Sequence, residues 1–253
     1  MRRLTVGVAV AASATLVAAC GGSGNGPAAS TTGTTTTTST TSSKPPIAQA
    51  ALSNLLLTPA EVDGLLGVTG TASKEKIDKL QDDSTGTPGP PGWKFPDECL
   101  YAKGPVAAPV YAGSGNTAVS GDMDTTSLNN DQDMMLGQAL VLFPSAKEAN
   151  DFFATSAQRW PACADRQIAE PTTPDGTQTT YQVGPFANAN GILSVTLTTT
   201  MSLGGQPNPM VLTAQRTLTV RNNVVVDVVL MRKDPADFGV KVAAQIAGKI
   251  DKQ

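Results

Sequence analysis

Cys20 carries the clearest chemistry in this chain. It follows Val17-Ala18-Ala19, at the end of a short apolar run that starts at Leu4 behind Arg2 and Arg3. A secretory signal has this layout, but here a cysteine stands where an ordinary signal needs only a small residue. A thiol in that place accepts diacylglycerol in thioether linkage. Residues 1–19 therefore read as a lipoprotein signal peptide, and Cys20 as the lipidated first residue of the mature chain. The plainer alternative is an ordinary signal peptide with a chance cysteine. The run is too short and too rich in alanine for a membrane-spanning anchor.

Two cysteines remain, Cys99 and Cys163. In an exported chain an even pair reads as a disulfide rather than a metal or catalytic site. With no histidine anywhere, the Ser-His-Asp and Cys-His routes to a nucleophile are closed. No Cys/His zinc spacing and no phosphate loop with its lysine is present. No cofactor or metal is expected. Asp122, Asp124, Asp131 and Asp133 cluster loosely, but not at the spacing of a calcium loop, and they read as a solvated loop. Arg216 and Asp227 flank Asn222-Asn223, a pair suited to a two-residue hairpin turn because Asn tolerates positive φ. In that hairpin Asp227 faces Leu218, with Arg216 as its diagonal neighbour on a face shared with Val220, Val225 and Val229. An ion pair on so apolar a face is read as structural, since either charge alone is costly to bury. The rival reading makes Arg216 a contact for an anionic ligand.

The elements that position these residues begin beyond a linker. Thirteen of the fourteen residues from Ser30 to Ser43 are Ser or Thr. Residues 20–46 thus have nothing apolar to bury and read as a disordered tether, either bare or O-glycosylated. Without the signal, 16 basic residues face 21 acidic ones, a net charge of −5. That balance argues against nucleic acid or an anionic membrane surface as a partner, and 4% aromatic residues argue against stacking surfaces. Residues 47–253 suffice for one domain with its own core.

Within that domain Thr58-Pro59-Ala60-Glu61 forms a capping box, followed by Val62, Leu65 and Leu66 and ended by Gly67. Residues 81–96 read as loop, with Trp93 and Phe95 pinning it to the core. Met135 to Phe143 reads as a strand. After Ser145, Ala149, Phe152, Phe153, Ser156, Ala157 and Trp160 recur on one helical face. Strands are predicted at 179–186, 191–202, 210–221 and 224–232, then a helix capped by Asp234-Pro235. Strands without βα alternation, with helices at both ends, indicate an α+β fold. Its sheet is mainly antiparallel and flanked by helices.

Several of these pieces, in order, resemble one family. They are Leu55 to Val62 with Leu65-Leu66-Gly67, Val141 to Ala146, Trp160-Pro161-Ala162-Cys163, and the hairpin from Arg216 to Val228. Together they are similar to the PknH-like extracellular sensor domain of mycobacterial receptor kinases and stand-alone lipoproteins. The resemblance implies an antiparallel sheet flanked by helices, a cleft for an unidentified extracytoplasmic ligand, and no catalysis. It implies the same Cys99–Cys163 pairing. It also implies a second disulfide near the hairpin, which this chain lacks. In the predicted register Ala214 faces Met231 there, an apolar contact in place of the cystine.

The reading is a non-enzymatic, sensor-like domain of an envelope lipoprotein, held to the cell membrane by lipid on its extracytoplasmic face. Its partner would be an unidentified small molecule or protein. The rivals are a lipid or glycolipid carrier, which needs a large apolar cavity, and an interaction module, which needs an exposed apolar patch. A third is an atypical hydrolase, which needs two converging carboxylates. Changing Cys20 to Ala is expected to move the protein from the detergent phase to the soluble export fraction. Continued partitioning of the variant into detergent would contradict lipidation.

Overall fold

The computed structural model describes residues 44–82, 92–126, 133–204 and 206–253. Cys20, most of the linker and Asp131 lie outside them. In chain order the elements are α1 (Leu52–Leu55), α2 (Pro59–Leu66), β1 (Ala72–Ile77), α3 (Leu100–Lys103), α4 (Ala108–Tyr111), β2 (Ala118–Thr125) and β3 (Met134–Leu142). Then come α5 (Ala146–Arg159), β4 (Gln167–Ala169), β5 (Gln178–Val183), β6 (Ala187–Ala189), β7 (Ile192–Ser202), β8 (Met210–Arg221), β9 (Val224–Arg232) and α6 (Phe238–Ile250). The strands form one antiparallel sheet in the order β1-β2-β3-β9-β8-β7-β5-β4, with β6 paired to β7. This is the α+β architecture read from the sequence.

The hairpin at its centre turns on Asn222-Asn223. Arg221 pairs with Val224, Leu218 with Asp227 and Ala214 with Met231. Asn222 takes the positive φ, 52°, which places the left-handed residue first in the turn. Asn223 is buried and ties the turn to its surroundings. Its side chain accepts from the Ile47 N–H at 2.7 Å and donates to the carbonyls of Ile47 at 3.2 Å and Phe143 at 2.9 Å. Asn222 donates to the Pro45 carbonyl. The described chain thus enters the domain alongside this turn.

Because strand side chains alternate, β9 serves two cores. Val224, Val226, Val228 and Leu230 pack with α1, α2 and α6, while Val225 and Val229 face the side covered by α5 and residues 95–111. Such two-sided burial suits a central strand and explains its near-continuous apolar run. Side-chain N-caps form at Thr58 and Ser145. At α2, Thr58 accepts from Glu61 N–H and the Glu61 carboxylate accepts from Thr58 N–H, with Gly67 at φ 65° closing the helix. At α5, Ser145 accepts from Glu148 N–H, but its hydroxyl, not its backbone, donates to the Glu148 carboxylate. Phe95 is buried and Trp93 stacks on Tyr181 with centroids 6.2 Å apart.

Three expectations need correction. The first of the late strands stops at Val183, before Gly184-Pro185. Asp234 does not cap α6. It closes a turn by accepting from Ala236 N–H at 3.1 Å, and Asp237 is the N-cap. Asp122 and Asp124 do not sit in a solvated loop. Both are buried on β2, where Asp122 accepts from Ser73 Oγ and pairs with Lys76 Nζ. Asp124 accepts from Gln138 Nε2 at 2.7 Å, and Gln138 also bonds both the N–H and the carbonyl of Leu57. Gly137 beside it has no room for a side chain, since a Cβ would lie 2.9–3.1 Å from Met123, Val229 and Pro105.

Asp124 is fully buried and its Oδ1 has no hydrogen-bond partner among the described residues. Burial first, and the Asp122 charge after it, hold its carboxyl above the ordinary aspartate range against the lowering effect of Gln138. A carboxyl raised in the folded state costs stability once it must ionise. The penalty is absent below the unfolded value of about 3.9 and complete above the folded one. Asp124→Asn is therefore expected to gain stability relative to the wild type as pH rises from about 4, reaching a plateau. Denaturation midpoints across pH check this; a gap that does not change with pH would contradict it.

Candidate functional site

Asp227 sits on the face of β9 covered by α5, and a carboxylate there cannot reach water. It is fully buried and its partner Arg216 is 2% exposed. Arg216 Nη1 is in ion-pair contact with Asp227 Oδ1, off the line of an N–H bond. The guanidinium also donates from Nε to the Tyr101 carbonyl at 2.9 Å and from Nη1 to the Val228 carbonyl at 2.6 Å. Its carbon lies 5.9 Å from the centre of the Trp160 ring. Asp227 Oδ2 accepts from the Val106 N–H at 2.7 Å and the Tyr111 hydroxyl at 2.9 Å. Losing either charged partner strands the other, at a typical cost of about 3–5 kcal/mol. That would cancel the burial of roughly two valines.

Three of these bonds reach the strap, residues 97–114, which includes α3 and α4. Nothing in its own sequence makes it regular, because two four-residue helices have no amphipathic stripe. The strap is held from outside. Cys99 and Cys163 are joined, with Cα atoms 5.2 Å apart, tying its start to the end of α5. Val106 takes φ +48°, a conformation a β-branched residue seldom accepts. Its N–H is held by Asp227 and its carbonyl accepts from Gln81 N–H at 2.8 Å. Burial pushes the Tyr101 hydroxyl up to about 12. Burial and the Asp227 charge push that of Tyr111 well above its ordinary value. Both therefore stay protonated and donate.

Between the strap and α5 lies a cleft of about 790 Å³. Two aromatic stacks support it, Tyr111 on Phe152 at 4.4 Å and Tyr101 on Trp160 at 4.6 Å, each joining a strap residue to α5 or its C-terminal turn. Leu100, Val110 and Phe152 give the lining an apolar part. Asp97, Glu98, Glu148, Asp151 and Arg159 ring it with charge, while Ser114, Thr155 and Gln158 add polar groups. Glu98 pairs with Arg166, which together with its own backbone N–H lowers its carboxyl below the usual range. Asp151 pairs with Lys147 at 2.6 Å. Arg216 does not line the cleft. Trp160 and Tyr101 lie above it, so it supports the site without reaching a ligand there.

The structure thus brings together Cys99 with Cys163 and Arg216 with Asp227. Asp133 lies just ahead of β3, away from any cluster able to hold a metal among the described residues. Sequence reasoning missed the cleft wall formed by the strap. The one available signal was the concentration of Tyr101, Tyr111 and Cys99 in a stretch that otherwise reads as loop.

Residues 47–249 match the family described as PknH-like extracellular domain. The serine/threonine-protein kinase PknH of Mycobacterium bovis is 30% identical over 208 residues, covering 82% of this chain and 32% of that protein. The PknH of Mycobacterium tuberculosis is 30% identical over the same length, with 30% of it covered. The chain therefore spans about a third of these relatives. The crystal structure of the extracellular domain of PknH from Mycobacterium tuberculosis superimposes with a TM-score of 0.67 at 28% identity, covering 83% of this chain and 99% of that one. The likeness is to the extracellular domain, not to the kinase domain.

Arg216→Ala and Asp227→Ala are each expected to cost about 3–5 kcal/mol in denaturant unfolding, and the double variant much less than their sum. Small, additive losses would contradict a buried pair that holds the strap.

Proposed function

The chain belongs to the PknH-like extracellular domain family, and from that premise we propose that it is an extracytoplasmic, non-enzymatic receptor domain binding a small molecule between the strap and α5. The cleft is the observation that carries this reading. Its volume, about 790 Å³, is within the range of small-molecule sites. A disulfide, a buried ion pair and two aromatic stacks all fix the wall across from α5. Such preorganisation is what a binding site needs to limit the entropy lost when a ligand is seated.

Catalysis has little support in the lining. Its aliphatic hydroxyls, Ser114, Thr155 and Ser156, have no histidine to activate them. A lipid carrier needs an enclosed apolar chamber, whereas this lining includes four carboxylates and an arginine. Lipid attachment at Cys20 would place the domain on the outer side of the cell membrane. There it would meet ligands of the envelope.

Native mass spectrometry of protein purified from its own envelope tests the proposal. The wild type is expected to carry an additional small-molecule mass, released on mild activation. Thr155→Trp, which fills the cleft from an exposed position on α5, should lose that mass while melting at the same temperature. A wild type that retains no ligand, or a Trp variant that retains it fully, would place binding elsewhere or nowhere.

A further inference from the structure

Large apolar side chains are exposed at one place among the described residues, the tip of the β7–β8 hairpin. Leu203 is 44% exposed, Met210 46%, Val211 53% and Leu212 45%. The tip projects past β9, which ends with Arg232 opposite Thr213, while on its other side β5 stays level with it, Gln178 lying opposite Ser202. Because side chains alternate along a strand, Met210 and Leu212 project from one face of this ribbon and Val211 from the other. The surroundings carry little charge. No Asp, Glu, Lys or Arg occurs from Gly176 to Gln215. Asp175, next to Gly204, has its carboxylate held by Thr173 and Thr177. The nearest charges on the β9 side, Arg232, Lys233 and Asp234, begin level with Thr213.

We propose that this hairpin tip docks on a lipid surface, inserting Leu203, Met210, Val211 and Leu212 among acyl chains. Apolar residues on both faces of a ribbon suit a medium that surrounds it. A protein partner would cover one face and leave the other in water. A second copy is the weaker occupant, because four side chains fall far short of the ~800 Å² per partner of a stable interface. The hairpin has no charged side chain of its own, so the one ion to keep at the headgroup level is Asp175 beside Gly204.

The geometry of the chain allows this contact. Lys44 to Ile47 lie at the Asn222-Asn223 turn, the opposite end of β8 from Met210. Twelve residues of β8 span roughly 36–40 Å. The 23 residues from 21 to 43 reach at most about 80 Å when extended. A chain anchored at Cys20 can therefore lay its tip on the same bilayer. The contact itself needs no anchor.

Residues 44–253 suit the test, because a chain of nearly the same extent crystallised alone as the relative's extracellular domain. With Val211→Trp in this chain, neutral phosphatidylcholine vesicles are expected to shift its emission to the blue, and brominated lipids to quench it. Changing Met210→Ser, Val211→Thr and Leu212→Ser together should lower vesicle partitioning at least about tenfold without moving the melting temperature. Unchanged Trp emission with vesicles would overturn the proposal. So would binding confined to anionic vesicles and abolished by salt, or a concentration-dependent dimer that the triple variant abolishes.

Discussion

Burying one carboxylate at the centre of a sheet obliges separate parts of the chain to converge on it. Asp227 draws Arg216 from the neighbouring strand, and the backbone of Val106 and the hydroxyl of Tyr111 from the strap. Arg216, committed in turn, fixes the Tyr101 carbonyl and lies against Trp160. Apolar residues at both positions would pack with less desolvation cost. They would not specify where the strap lies, since apolar contact has no direction. The pair gives up stability for position, and the position it sets is one wall of the cleft.

The opposite face of the sheet follows a different logic. There Val224, Val226, Val228 and Leu230 meet Val242, Ala243 and Ile246 of α6 with no charged group among them. Each fully buried valine or leucine contributes about 1.5–3 kcal/mol, so this side supplies stability without demanding a unique arrangement of polar partners. One strand, β9, has both roles because its side chains alternate. The side that holds the strap is therefore polar in its supports, and the α6 side is mainly apolar, with Asp124 and Gln138 buried at its β2–β3 margin.

Local signals made much of this legible. Asn222-Asn223 between two β-rich runs set the hairpin register and with it the meeting of Arg216 and Asp227. Thr58-Pro59-Ala60-Glu61 announced α2, and the stripe from Ala149 to Trp160 announced α5. What stayed hidden depended on distant partners. β2 contains Gly121, Asp122 and Asp124, poor strand formers that succeed because Ser73, Lys76 and Gln138 meet their carboxylates from adjacent strands. α3 and α4 are too short for periodicity, and the bond that holds Tyr111 spans 116 residues. The residues of α5 outside its apolar stripe carried no local signal. Only the strap opposite it turns Glu148, Asp151, Thr155 and Arg159 into the lining of a cleft.

Asn223 gives the domain a mechanical property. Its side chain grips Ile47, where the chain enters, and also the Phe143 carbonyl, two residues before the Ser145 cap of α5. A pull on the N-terminal segment is thus delivered to the hairpin turn and to the strand end that launches α5. β8 and β9 leave that turn together, and β9 runs antiparallel to β3, so the load is shared by the innermost strands and not peeled from an edge. Tension on that segment would pass through Phe143 to the start of the helix that forms one side of the cleft.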